Sequence, residues 1–261
     1  MTDSDFKVDG NTALVTGSSR GIGRSIVERF ARDGVDVVVS SRDKDAIDEV
    51  AEGINDAGHP GEAIAVTCDI RNWDEIEALV ETTEERLGPI DVLVNNAAAS
   101  FVSPVEELSE NAWKTIIDIN LNGTFNCTSI VGDRMIENGG GTIVNISSVA
   151  GRDGAPGMAH YATSKAGLNN FTRTLGIEWA EYDIRVNGIM PGLVSTPGIE
   201  SQMGISVDEI DLDSVDRQIG APDEIAAAVQ FLTSPAASYI QGETIVVEGV
   251  PRFTRTEHHE E

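Results

Sequence analysis

The chain has 261 residues, enough to bury a sizeable core in one large domain, and its 40% apolar content excludes a chain that stays disordered. Its 44 acidic residues against 18 basic ones give a net charge of −26, which excludes nucleic acid and anionic membrane as partners. The acids are dispersed between apolar runs, a composition resembling that of proteins from salt-loving organisms, where salt screens self-repulsion.

Residues 12–16 read as a short buried strand, followed at once by the turn Gly17-Ser18-Ser19-Arg20-Gly21-Ile22-Gly23. Ile22, Ile26, Val27, Phe30 and Ala31 then recur at helical spacing. Glycines in such a strand-turn-helix allow close backbone approach, and the helix start offers unpaired N–H groups to a pyrophosphate; the same turn also serves as a plain structural link. A second strand over residues 35–39 ends in Ser40-Ser41-Arg42. The acid that holds the ribose hydroxyls in many NAD sites is missing there. Arg42, with Arg20, instead suits a 2′-phosphate, which favours NADP(H) over NAD(H).

A helix over 43–57 and a strand over 63–67 follow, closing in Cys68-Asp69. Asp69 either accepts from an adenine amino group or is a simple strand-end turn residue. Residues 73–87 read as a helix with Asp74 and Glu75 placed to favour its dipole, ended by Gly88-Pro89. The strand 90–94 runs into Asn95-Asn96-Ala97-Ala98-Ala99, small side chains that leave room for a ribose and nicotinamide. The helical segment 111–136 contains Asn120, a poor helix former and therefore either a structural hydrogen-bonder or part of a proton path.

Residues 140–179 organise the rest. A β-branched strand ends in Ser147-Ser148, a Gly/Pro-rich turn follows, and a long helix starts near His160. Tyr161 and Lys165, at i and i+4, share one face of it. An ammonium near the phenol is expected to lower its pKa from about 10 toward neutrality. Ser148 can hydrogen-bond the oxygen that Tyr161 protonates, an arrangement for alcohol/carbonyl chemistry. A sixth strand over 184–189 enters Met190-Pro191-Gly192. Residues 197–218, with Gly198, Gly204, Asp208, Glu209, Asp211, Asp213 and Asp216, are expected to form a mobile substrate cover. A helix beginning at 220–224 carries Ile225, Ala226, Val229 and Leu232, and the last strand spans 244–247. His258-His259 is expected to face solvent, and no ligand-spaced cluster suggests a metal. Cys68 and Cys127 are too few for a disulfide framework and are expected to pack as small apolar groups. With no leader-like or membrane-spanning run, a cytoplasmic protein is expected.

Thr16-Gly17-(x)3-Gly21-x-Gly23, Asp69, Asn95-Asn96-Ala97, Asn120, Ser148, Tyr161-(x)3-Lys165 and Pro191-Gly192, in this order over residues 8–250, resemble the short-chain dehydrogenase/reductase family. The resemblance implies an α/β fold, a Rossmann-like doubly wound seven-stranded parallel sheet with helices on both faces, in a single domain over 1–261 and usually in a homotetramer. It makes Tyr161 the general acid/base, has Lys165 bind the nicotinamide ribose and depress the tyrosine pKa, has Ser148 orient the carbonyl and Asn120 hold a relay water. Cofactor contacts are implied at Gly17, Ser19, Arg20, Gly21, Ile22, Gly23, Ser41, Arg42, Asp69, Ile70, Asn96, Ala97, Ala98, Tyr161, Lys165, Pro191, Gly192, Val194 and Thr196. Ala98, where the family often has glycine, and Glu248-Gly249-Val250, where it usually has Asp-Gly-Gly, are departures. Residues 101–128 and 235–239 further resemble fatty-acyl thioester reductases. The resulting expectation is NADP(H)-dependent reduction of a 3-oxoacyl thioester, such as a CoA ester. Alternatives are a sugar or polyol dehydrogenase, a 2,4-dienoyl-CoA reductase-like enzyme, a branch that typically lacks the tyrosine present here, and a catalytically silent dinucleotide sensor or scaffold.

Overall fold

The computed structural model describes residues 3–199 and 210–250. Strands β1 (Thr12–Thr16), β2 (Asp36–Ser41), β3 (Ala63–Thr67) and β4 (Val92–Asn95) alternate with helices α1 (Gly21–Asp33), α2 (Lys44–Asp56) and α3 (Trp73–Leu87). After β4 come α4 (Glu110–Ile117), α5 (Gly123–Asn138), β5 (Gly141–Ile146), α6 (Ala159–Glu178), β6 (Ile184–Pro191), α7 (Pro222–Thr233) and β7 (Thr244–Val247). The seven strands form one parallel sheet in the order β3-β2-β1-β4-β5-β6-β7. It is the expected doubly wound, Rossmann-like arrangement. The order reverses between β1 and β4, which opens a crevice at the carboxyl ends of those strands.

Parallel strands buried on both faces need near-continuous apolar runs, and Val37-Val38-Val39 is one. Val37 and Val39 join a core with Ile26 and Phe30 of α1, Ile47 and Val50 of α2, and Val229 and Leu232 of α7. Val38 and Leu14 point the other way, into Leu79 of α3, Val131 and Met135 of α5 and Leu175 of α6. A polar ladder crosses the middle of this second layer. Asn95 Nδ2 donates to Asn145 Oδ1 and to Thr128 Oγ1, both at 2.9 Å, and Asn145 Nδ2 donates to Thr172 Oγ1 at 2.9 Å. Asn95 and Asn145 are register partners in β4 and β5. Sliding either strand would strand buried amides, so the ladder pins the register.

Two expectations shift. The segment 111–136 is not one helix: α4 and α5 are separated by a π turn over Asp118–Asn122, with Asn120 fully buried within it. The second strand runs on to Ser41 and the sixth to Pro191, each carried further by pairing with its neighbours. Cys68 and Cys127 are buried free thiols in the second layer, where burial pushes the Cys68 thiol up to about 12. Of the expected substrate cover, residues 200–209 lie outside the described residues, as do His258 and His259. Ile219–Gly220, just beyond its end, pair in parallel with Leu193–Val194. No helix among the described residues is long and apolar enough to cross a membrane.

Candidate active site

The glycine turn after β1 is locked from below. Thr16 Oγ1 accepts from the backbone N–H groups of Asn96 and Ala97, each at 3.1 Å, and Asn96 Nδ2 donates to the carbonyls of Thr16 and Gly17 at 3.0 and 2.9 Å. Ser18 Oγ donates to Val15 O at 2.7 Å and accepts from Ser40 N at 2.9 Å, which ties the turn to β2. Gly17 has φ of +66°, and a Cβ there would lie 2.7 Å from Ala97 Cα. At Gly23 it would lie 2.5 Å from both Asn96 Nδ2 and Gly17 O. Arg20, the N-cap of α1, is extended and makes no side-chain capping bond. The turn is therefore a backbone cradle at an uncapped helix start, and it fits the diphosphate of a dinucleotide. Gly23→Ala is expected to cost about 2 kcal/mol of stability and to weaken dinucleotide binding at least about tenfold. Thermal melts and cofactor titration measure both, and an unchanged affinity would refute the cradle.

Arg20 and Arg42 are both exposed, at the first and second strand ends. Ser41 Oγ accepts from Asp43 N at 3.1 Å, shaping the start of α2. Asp69, exposed enough to meet a ligand, already has its carboxylate clasped by Arg71, whose Nε lies 2.9 and 3.1 Å from the two oxygens. That hydrogen bond holds the carboxyl below its ordinary range. Ile70 packs on Gly123, and its carbonyl accepts from Asn126 Nδ2 at 3.3 Å. On the far side, Thr196 lies against the glycine turn, 3.3 Å from where a Gly21 Cβ would stand. Val194 is buried and Ala98 exposed, while Ser19, Ile22 and Gly192 are half-buried.

Ser147, Ser148, Tyr161 and Lys165 come together where β5 ends. Ser147 turns inward, with its hydroxyl bonded to Lys165 O at 3.2 Å and to Asn169. Ser148, half-buried beyond the end of β5, accepts from Ala150 N at 3.2 Å and is the neighbour whose hydroxyl lowers the Tyr161 pKa. Lys165 is 2% exposed; its Nζ donates to Ile146 O at 2.7 Å and lies 5.7 Å from the Tyr161 ring centroid. Burial brings the Lys165 pKa down to about 8. Tyr161 departs from expectation: burial raises its pKa, and the Ser148 bond only partly opposes this. The ammonium is directed at the Ile146 carbonyl, and burial of the phenol disfavours its anion.

Asn120 makes three bonds with its amide. Nδ2 donates to Ala99 O and Ser164 Oγ, both at 3.0 Å, and Oδ1 accepts from Ala99 N at 2.8 Å. Ser164 Oγ in turn donates to Tyr161 O at 2.7 Å. This three-way brace ties the loop after β4 to α6, and the π turn sets the asparagine at the depth it requires. Ser18, Arg71, Ser164 and Asn169 escape the sequence reading. Only Ser164, three residues after Tyr161 on the same helix face, offered a spacing signal. Among the described residues no group of three or more His, Cys, Asp or Glu side chains could hold a metal.

Residues 11–203 match the family model described as short chain dehydrogenase. A 3-oxoacyl-[acyl-carrier-protein] reductase from Synechocystis sp. is 40% identical over 239 residues, covering 91% of this chain and 95% of that protein. Glucose 1-dehydrogenase 2 from Bacillus subtilis is 38% identical over 247 residues, covering 92% and 94%. The crystal structure of hydroxysteroid dehydrogenase from Escherichia coli matches with a TM-score of 0.85 at 34% identity, covering 96% of this chain and 100% of that one. The chain belongs to the short-chain dehydrogenase family and is an NAD(P)-dependent oxidoreductase acting on CH–OH and C=O groups.

Proposed function

We propose that the chain reduces a 3-oxoacyl thioester to the 3-hydroxyacyl thioester with NADP(H). The observation that carries the chemistry is the pairing of Tyr161 and Lys165 on one face of α6, with the Lys165 Nζ 5.7 Å from the Tyr161 ring and bonded to the Ile146 carbonyl, two residues before Ser148 at the end of β5. A nicotinamide, when bound, would supply the hydride chemistry at the carbonyl or carbinol carbon. Tyr161 gives its proton to the developing alkoxide, and Ser148 donates to the same oxygen. The Lys165 ammonium stands behind Tyr161 as the next proton source. Asn120 braces that helix through Ala99 and Ser164 and would hold the relay water between Lys165 and solvent. Arg20 and Arg42 support the preference for NADP(H), because two guanidinium groups at the ribose corner suit a 2′-phosphate. The Synechocystis relative supports the thioester substrate.

One observation favours a second reading, an uncharged alcohol such as a sugar. The loops leaving β4, β5 and β6, taken over residues 96–109, 147–158, 192–199 and 210–218, carry Glu106, Glu107, Asp153, Asp211, Asp213 and Asp216 but only two bases. Arg152 is paired with Asp153 and Arg217 with Glu224. A phosphorylated carrier therefore meets no unpaired cation on these stretches, and the Bacillus relative is named for glucose. Acetoacetyl-CoA, an uncharged 3-oxo thioester of a small thiol, a 2,4-dienoyl-CoA and common aldoses, assayed with both cofactors at low and molar salt, decide between the readings. Reduction of both 3-oxo thioesters supports the first; aldose oxidation without thioester reduction overturns it. Binding of cofactor without turnover of any member would point to a silent sensor. Exposed Phe125 on α5 and Ile177 on α6 support self-association, and light scattering tests the proposed homotetramer.

A further inference from the structure

Arg71 is the base that the structure holds against Asp69. Its Nε lies 2.9 Å from Asp69 Oδ1 and 3.1 Å from Oδ2, and its backbone N–H donates to Oδ1 at 3.1 Å. The loop that carries it is fixed on every side. Asp69 N donates to Glu75 Oε2 at 2.8 Å, Asn72 N to Asp69 O at 2.8 Å, and Asn126 reaches the Ile70 carbonyl. Three carboxylates, Asp69, Asp118 and Glu75, act on the guanidinium. Arg71 is therefore a cation that the loop holds in one place, at the centre of local negative charge.

The neighbouring loop carries Arg42. Ser41 and Thr67 are register partners in β2 and β3, and Cys68 N donates to Ser41 O at 3.1 Å, so the two loops leave the sheet side by side. Arg42 acts on the Asp69 carboxyl across that gap. An anion that docks on Arg42 therefore also meets whatever charge Asp69 presents. Left bare, that carboxylate would repel a dianionic 2′-phosphate and hold Arg42 for itself. With both oxygens engaged by Arg71, it does neither. A ribose with free hydroxyls meets no such penalty, so the effect is selective.

We infer that Arg71 is a specificity-determining residue of the cofactor site, which cancels the charge of Asp69 and so leaves Arg42 available to a 2′-phosphate. This rests on the NADP(H) reading of that corner. The test is titration of the full-length protein with NADPH, NADH, 2′-AMP and 5′-AMP. The wild type is expected to bind NADPH and 2′-AMP more tightly than their partners. Arg71→Gln should weaken NADPH and 2′-AMP roughly five- to tenfold while moving NADH and 5′-AMP less than about twofold. Arg71→Lys should recover part of the NADPH/NADH ratio. The combination of Arg71→Gln with Asp69→Asn should restore that ratio, because the carboxylate charge is then gone, whereas a residue that merely braces the loop would not be rescued this way. Equal losses for both dinucleotides, or a ratio unmoved in Arg71→Gln, would overturn this inference alone. A wild type that does not prefer the phosphorylated probes would overturn the NADP(H) reading and this inference with it.

Discussion

Tyr161→Phe is expected to lower kcat by about a thousandfold or more while leaving NADPH affinity within roughly threefold. The phenol shares the helix face of Lys165 at the end of β5 and carries the proton that the alkoxide would take up. Phenylalanine keeps the ring and its packing, so the helix and the cofactor cradle should survive. Single-turnover oxidation of bound NADPH by a carbonyl substrate isolates the step, and a turnover number near wild type would remove Tyr161 from the mechanism.

Lys165→Met should do two things that rarely go together: abolish turnover and stabilise the protein. The folded ammonium titrates near 8 instead of its ordinary 10.5, so between those values the unfolded chain binds more protons than the folded one. The penalty for burying this charge is thus present in full below pH 8 and fades as pH rises toward 10.5. It is on the order of 3 kcal/mol. Methionine removes it and gives up one hydrogen bond to Ile146 O, leaving a net gain of about 2 kcal/mol and a Tm increase of roughly 4–8 °C at pH 7. At pH 10.5 the gain should be gone. A lower Tm at pH 7 would show that the ammonium stabilises the fold. The same ionisation predicts that the reductive kcat/KM of the wild type is level below pH 8 and falls above it, as Lys165 loses the proton it holds in reserve.

Much of the architecture was legible because its signals are local. Residues 63–67 and 244–247 are β-branched or apolar runs bounded by turn residues, and residues 73–87 end at a Gly-Pro pair; each element appears at the expected bounds. The break at Asp118–Asn122 was signalled only by Asn120, a poor helix former, and propensity alone does not tell a broken helix from one that tolerates such a residue. What opens the π turn is a demand from elsewhere, the Ala99 backbone and Ser164 hydroxyl that Asn120 must reach. The i, i+4 spacing of Tyr161 and Lys165 revealed a shared face but not how deep it lies. Depth decides the sign of the tyrosine shift, and the carbonyl of Ile146 decides where the ammonium points. Arg71 hid for a similar reason: two residues from Asp69, it carries no motif, and only the folded loop turns it back onto that carboxylate.

The amide ladder through β4 and β5 has a consequence for how this scaffold can change over generations. It sits one layer below the crevice and shares no atom with the loops that meet the substrate, so those loops are free to lengthen, shorten or trade charges without shifting the strand ends that present Ser148 and the glycine turn. Chemistry and selectivity are thereby mechanically separated. A lineage built on such a keel can wander among thioesters, sugars and sterols while the apparatus for moving a proton stays where it is.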